Sequence, residues 1–362
     1  MKAVIMTPVL AGADAVGNDV LAMARVLRER GIETKLCCNV AVGIEETTLP
    51  PERVLEFAGA PGDLLIYHFS VSWPAALDIL RQARGFRVVR YHNITPPQFF
   101  AEYGAIDYEE SCAVGRAEIA KVAALGCELY LGASAYNNED LLGAGVPPER
   151  CAVLAPFHRI GHLQSAEADL ALLDELNDGT HNVLMVGRVA PNKGHVELVE
   201  AFAAYVDAYG DPARLIIVGK SDPRLEAYSQ RIQAQIDLHR LGDRVWWLDS
   251  LSEAQLKAAY LASHAFMTLS RHEGFCVPIV EAMALGVPVL AHGSSAIPET
   301  VGDGGIVWTE SDPWLYAASL ARLGADEPFR NGLRETARRR YEREFAAPVL
   351  RERFLRLLEP AL

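Results

Sequence analysis

The sequence predicts an α/β protein built from two doubly wound domains, and three observations predict it. Short apolar runs alternate with helical stretches along most of the chain, the pattern of parallel strands covered by helices on both faces. The alternation stops over residues 156–181, which hold a polar stretch and only a short helical pattern at 168–176, and then restarts. A length of 362 residues with 50% hydrophobic content suffices for two cores.

The first series opens on an apolar run over residues 3–6. A helix is expected over 18–30, because Val20, Met23, Val26 and Leu27 fall on one face and Gly31 stands where a helix end favours glycine. Residues 34–38 and 64–67 read as strands, and 74–83 as a helix. Residues 87–91 form a strand ending in His92-Asn93. A helix over 111–125, a strand over 128–133 and a helix over 135–142, with Ser134 as its N-terminal cap, complete the series. The second series reads as strands at 182–186, 214–218, 245–248, 265–269, 287–291 and 305–307, with helices at 196–209, 225–238 and 253–262. The last fifty residues are helical, broken near Ala346-Ala347-Pro348. The expected domains are 1–165 and 180–344. In such sheets ligands bind beyond the carboxyl ends of the strands, and the cleft between the domains is the default site.

Bulk properties narrow the function classes. A net charge of −13 disfavours nucleic-acid binding, which needs a basic face. The six cysteines are scattered without a CxxC pair, as in a reduced cytosolic protein rather than a disulfide framework or zinc site. The first residues read as a strand rather than a leader, and no run reaches the ~18 apolar residues of a membrane span. A cytoplasmic protein is expected.

Two motifs could carry chemistry. Val186-Gly187-Arg188-Val189-Ala190-Pro191-Asn192-Lys193-Gly194 lies between a strand and a helix. It offers a forked donor, a point charge and the positive end of a helix beginning near His195, which suits a diphosphate. A solvated basic loop is the alternative. Ser270-Arg271-His272-Glu273-Gly274-Phe275-Cys276-Val277-Pro278-Ile279-Val280-Glu281 places two acids around a helix start. Proline favours the first helical position, so Glu281 falls in the first turns and Glu273 in the loop before. The amides of Gly274, Phe275 and Cys276 then lack helical partners and can face an anion or hydroxyls. A carboxylate favoured by the helix dipole, and a solvated loop acid, remain alternatives for the two glutamates. In the first series Gly17 opens the first helix, and His92 sits at a strand's carboxyl end, where it either meets ligand or caps the strand. His68 has similar placement. No Asp-x-Asp stands at a strand end, so no metal ligands are expected; Asp222 lacks a second acid. The first loop, from Pro8 to Gly17, lacks G-x-G-x-x-G, which ranks a nicotinamide-dependent enzyme low.

Glu273-Gly274-Phe275-x-x-Pro278-x-x-Glu281-Ala282, with Gly187-Arg188 and Lys193-Gly194 upstream and Ala296-Ile297-Pro298-Glu299 after, resembles the retaining glycosyltransferases of family 4. The resemblance covers the second domain strongly and the first more weakly. It implies the GT-B fold: two Rossmann-like domains facing a central cleft, the first for the acceptor and the second for the donor. The last helix, about residues 345–362, would cross back onto the first domain. Glu281 would bind the ribose hydroxyls of a nucleotide-sugar and Glu273 would lie at the donor sugar. Gly274 and Phe275 would offer amides. Cys276 stands where the family often has glycine, with its amide still usable. Arg188 and Lys193 would hold the diphosphate, and Gly17 and His92 would approach the donor from the first domain.

The implied reaction is transfer of a hexosyl group with retention, without a metal or other cofactor. Tyr91-His92-Asn93-Ile94-Thr95-Pro96-Pro97 looks like bacterial polysaccharide-assembly members, which leans the donor to GDP-mannose, with UDP-sugars next. The acceptor would be a glycan or a lipid-linked glycan, the latter bringing peripheral contact with the inner face of the membrane. A noncatalytic nucleotide-sugar or carbohydrate-binding protein on the same fold is the alternative.

Overall fold

The computed structural model describes residues 1–12, 14–210 and 212–362. The chain divides into two compact units. One comprises Met1–Pro97, Tyr108–Arg159 and Ala346–Leu362; the other comprises Gln98–Asp107 and Ile160–Phe345.

The first unit is a six-stranded parallel sheet: β1 (Lys2–Ala11), β2 (Glu33–Val42), β3 (Leu64–Phe69), β4 (Phe86–Tyr91), β5 (Leu129–Gly132) and β6 (Cys151–Val153), in the order β2-β1-β3-β4-β5-β6. Every residue of β3 is buried, as a strand covered on both faces requires. The order reverses between β1 and β3, the position where such sheets bind ligands. Three local expectations shift. The first helix spans Ala15–Glu29 and starts earlier than its apolar spacing implied, because Asp14 caps it by accepting from the Gly17 amide. The helix Ile106–Ala123 likewise starts before the expected residue 111. The edge strand β6 was not legible, being a three-residue run with no fully buried side chain. Ser134 does cap the helix Ala135–Gly143.

The final helix, Ala347–Leu357, belongs to the first unit. Phe354 packs edge-on against Phe157 at 5.8 Å, and Arg351 pairs with Glu29 on the first helix. Ahead of it the helix Glu327–Arg340 runs into a π-turn at Tyr341–Phe345, and Ala346 is extended before Pro348. Pro348 has no amide hydrogen to donate to the Glu344 carbonyl and its ring clashes with that carbonyl, so the preceding helix cannot run through it, which explains the legible break.

The second unit repeats the architecture with β7 (His181–Val186), β8 (Ala213–Val218), β9 (Val245–Leu248), β10 (Ala265–Thr268), β11 (Val289–His292) and β12 (Gly305–Trp308), all parallel, in the order β12-β11-β10-β7-β8-β9. Its reversal lies between β7 and β10. Residues 98–107, inside the span read as the first domain, cluster here: Tyr103 meets Tyr228 edge-on at 5.0 Å and Arg271 lies over Phe99 at 5.2 Å. Among the described residues no helix is long and apolar enough to cross a membrane.

Candidate functional site

The two motifs singled out in the second unit are the loops leaving β7 and β10, the adjacent strands at the reversal of that sheet. Gly194 lets them meet. Its φ is +67°, and a Cβ there would lie 1.9 Å from the Leu269 carbonyl oxygen at the end of β10. Asn192, one residue before Lys193, ties the loops further. Its carbonyl accepts from the Arg271 and His272 amides, and its Nδ2 donates to the His272 carbonyl at 3.0 Å.

The result is a direct contact between the two motifs. Lys193 Nζ donates to both oxygens of Glu273, at 2.7 and 2.9 Å. The glutamate is buried and the lysine keeps only partial exposure. Eighty residues of sequence separate the pair, and sheet order alone brings it together. The Glu273 amide donates to Ser295 Oγ at 2.7 Å, and the Glu273 carbonyl accepts from Ala296. Arg188 stands exposed at the end of β7. The amide of His195, first residue of the helix His195–Tyr209, already donates to Tyr228 Oη at 2.9 Å, so that helix start offers one fewer donor than expected.

Glu281 lies in the helix Val277–Ala284 and Glu273 in the loop before it, the division expected from Pro278, although proline occupies the second helical position rather than the first. Glu281 is only partly exposed, and burial raises its carboxyl above the usual range. Tyr260 Oη opposes this by donating to Oε2 at 2.7 Å, which leaves Oε1 for other donors. Phe275 is a packing residue: its ring meets Phe345 edge-on at 5.5 Å and its carbonyl accepts from Thr300 Oγ1. Only its main chain is available for a ligand.

Cys276 has a reason to differ from other residues of the stretch. It caps the helix in the left-handed region, φ +75° and ψ +74°, where glycine is favoured and a side chain costs about 1 kcal/mol or more. The thiol is buried, and burial together with the neighbouring Glu273 carboxylate holds it well above the ordinary thiol range. Cys276 is therefore no nucleophile. Native alkylation with iodoacetamide at pH 8 is expected to spare Cys276, with modification only after unfolding, as read by peptide mass spectrometry; rapid native labelling would contradict this.

The first unit has its own cluster at the reversal of its sheet. Arg90, fully buried in β4, donates from Nε to Asp19 Oδ2 at 2.8 Å and from Nη1 to the Gly132 and Leu154 carbonyls. Asp19 Oδ1 accepts from the Phe157 amide at 2.8 Å. His68, on β3, and His92, just past β4, share a hydrogen bond of 2.8 Å between Nδ1 and Nε2. Burial and then neighbouring positive groups, Arg90 among them, hold both imidazoles well below their ordinary range, so both are neutral at pH 7. The turn carrying His92 is pinned: Tyr91 Oη accepts from the Ile94 amide and donates to Asp140, while Arg116 binds both Asp140 and the Ile94 carbonyl.

Gly17, expected to open the first helix, stands at its start beside the end of β1, for a different reason. It lies inside the first helical turn, its amide is held by Asp14, and a Cβ would sit 1.7 Å from the Ala11 carbonyl oxygen. Steric closeness explains this glycine without a ligand. Asp19, Arg90, Asn192, Ser295 and Tyr260 were not foreseen as site residues. The first two had a signal: an acid on the apolar face of the first helix and an arginine inside a core strand, each costly unless paired.

Comparisons with known proteins bear on the family and the fold. The family described as "Glycosyl transferases group 1" matches residues 174–340. The D-inositol 3-phosphate glycosyltransferase of Corynebacterium glutamicum is 32% identical over 52% of this chain and 47% of its own length. The GDP-mannose-dependent alpha-mannosyltransferase of Mycolicibacterium smegmatis is 36% identical over 32% of this chain and 26% of its own. The O-antigen chain mannosyltransferase B of Escherichia coli is 35% identical over 25% and 24%. The chain thus matches less than half the length of these curated relatives. Among solved structures, Anabaena HepE in complex with UDP and glucose superposes with a TM-score of 0.78 at 16% identity, over 99% of this chain and 100% of that one. WaaG, a glycosyltransferase involved in lipopolysaccharide biosynthesis, gives 0.72 at 13% identity over 99% and 100%. At these identities the likeness establishes the fold alone.

Proposed function

We propose, for a chain whose residues 174–340 belong to the glycosyl transferases group 1 family on a GT-B fold, transfer of a hexosyl group from a nucleoside diphosphate sugar to a glycan hydroxyl with retention at the anomeric carbon. The observation that carries this reading is the meeting of Lys193 and Glu273 at the β7/β10 reversal, one loop supplying cations and the other carboxylates. A diphosphate is a stronger partner for Lys193 than a single carboxylate. Its binding would draw the ammonium toward the phosphates and leave Glu273 to accept from sugar hydroxyls. Arg188 would share the charge that develops on the leaving group.

In this reaction the bond from the anomeric carbon to the diphosphate breaks and the acceptor oxygen bonds to that carbon on the same face. The acceptor proton passes to a leaving-phosphate oxygen, so no protein nucleophile is required. Glu281, with Oε1 unclaimed by Tyr260, would accept from the ribose hydroxyls in its ionised form. Mannosyltransferase relatives support GDP-mannose as donor, and UDP-bound structural neighbours make UDP-sugars the next candidates. A lipid-linked acceptor would bring peripheral contact with the inner face of the membrane.

The test incubates the full chain with GDP-mannose, UDP-glucose and UDP-N-acetylglucosamine, with glycan acceptors. Nucleoside diphosphate release with one donor, and a product whose one-bond carbon–proton coupling at the anomeric carbon reports the donor's configuration, is the expected result. Inverted product would overturn the retaining mechanism. Donor binding without release or transfer would assign the chain to nucleotide-sugar binding alone.

A further inference from the structure

Asp19, His68 and His92 place one ligand atom each within 4.8 Å of one another, a spacing at which a metal could be held. The surrounding bonds give the cluster another role. The Asp19 oxygen nearest both histidines, Oδ2, accepts from Arg90 Nε at 2.8 Å, whereas each imidazole nitrogen is 3.9 Å from it. A fixed guanidinium therefore stands where a cation would need the lone pair. The two imidazole nitrogens are 2.8 Å apart, which is the length of a hydrogen bond carrying one shared proton.

Two neutral arrangements satisfy that bond. In the first, His68 carries its proton on Nδ1 and donates to His92 Nε2. His68 Nε2, buried and without a partner, is then a bare lone pair. In the second, His92 donates from Nε2 and His68 must carry its proton on Nε2, burying an N–H that has no acceptor. Buried orphan donors are rarer in proteins than under-used acceptors, so the first arrangement wins. His92 then accepts at Nε2 and carries its proton on Nδ1, which, unlike His68 Nε2, is not sealed from solvent, so this arrangement buries no orphan donor. The ring is itself about nine-tenths buried, with 9% of the side chain exposed.

We propose that His68, Arg90 and Asp19 are positioning residues that fix His92 as a neutral Nδ1–H donor at the carboxyl end of β4. Arg90 and Asp19 form the rigid base: the aspartate is held by the Phe157 amide and the arginine by two main-chain carbonyls. Burial, with Arg90 beside them, keeps both rings from protonating, and His68 chooses the tautomer. The groups facing His92 are thus one acid, one guanidinium and one neutral imidazole. The effect of this donor on turnover rests on the proposed transferase reading; the tautomer does not.

The experiment labels the histidines of the full chain with nitrogen-15 and reads each ring by long-range proton–nitrogen correlation, with His92→Phe identifying the His92 signals. The expected result is a protonated Nδ1 and a bare Nε2 on His92. His68→Leu is expected to release His92 to the Nε2–H form and lower kcat/KM about ten- to hundredfold, the scale on which partners behind a histidine act. His68→Gln, whose amide can donate to Nε2, should restore the Nδ1–H form and most of the rate. This rescue separates positioning from lost packing if His68→Leu folds poorly. A wild-type His92 protonated on Nε2 overturns the proposal, as does stoichiometric zinc binding that His68→Leu abolishes. An unchanged rate in a correctly folded His68→Leu with the altered tautomer removes the positioning role. Absence of transfer by the wild type would fail the transferase reading while leaving the tautomer measurement to decide this one.

Discussion

Replacing Lys193 by alanine is expected to lower kcat/KM for glycosyl transfer by about a hundred- to a thousandfold, the loss seen when one donor to a developing oxyanion is removed. The same change leaves Glu273 buried without its counter-charge. Removing one partner of a buried pair costs about 3–5 kcal/mol, and the partial exposure of Lys193 puts this pair at the lower end. A falling rate could therefore reflect a damaged fold. The double variant Lys193→Met with Glu273→Gln distinguishes the two effects. It removes both charges together, so thermal stability should return toward wild type while turnover stays low. Transfer by Lys193→Ala near the wild-type rate would end the assignment of the β7 loop to the leaving group. Lys193→Arg is expected to recover only part of the rate, because a planar fork does not reproduce a compact ammonium between Glu273 and a phosphate.

Gly194→Ala is expected to have a large effect although it adds a single methyl group. Two terms add at this residue. Its φ of +67° disfavours any side chain by about 1–2 kcal/mol, and the new Cβ would lie 1.9 Å from the Leu269 carbonyl oxygen and 2.6 Å from its carbon. Both atoms are main chain at the end of β10, so neither can rotate aside. The expected destabilisation is about 3 kcal/mol or more, with turnover falling because the Lys193 loop is pushed from Glu273. Gly210→Ala is the control. Its φ is +65°, but nothing lies within 4 Å of the added carbon, so only the conformational cost of about 1 kcal/mol should appear. Thermal unfolding of the two variants measures the difference; equal losses would show that the close approach of the two loops contributes nothing.

Much of the fold was legible because its signals are local. Every expected strand is present, since buried parallel strands read as continuous apolar runs. The helix break at residues 346–348 was legible because proline enforces it. One miss was local: the first helix starts early because of an Asp14 cap. The others were set by partners distant in sequence. The strand Cys151–Val153 exists only as an edge paired to β5. Residues 98–107 join the second unit through Tyr103 on Tyr228, an aromatic contact with no sequence periodicity. Glycine positions were legible as special but not by cause: Gly17 and Gly194 looked alike as loop glycines, yet Gly17 is set by a β1 carbonyl against its own helix and Gly194 by a neighbouring strand.

The sequence by itself determined the α/β class, the two-part organisation and the separation of Glu273 from Glu281, because strand runs, caps and proline act over a few residues. Only the tertiary structure decided that Lys193 reaches Glu273, that Tyr260 holds one oxygen of Glu281, that Cys276 occupies a left-handed cap, and that Asp19, Arg90, His68 and His92 form one buried chain. Those contacts follow from strand order, which places the ends of β7 and β10, and of β1, β3 and β4, side by side. Strand order is fixed by the packing of whole helices across each sheet, and no stretch of sequence carries it alone.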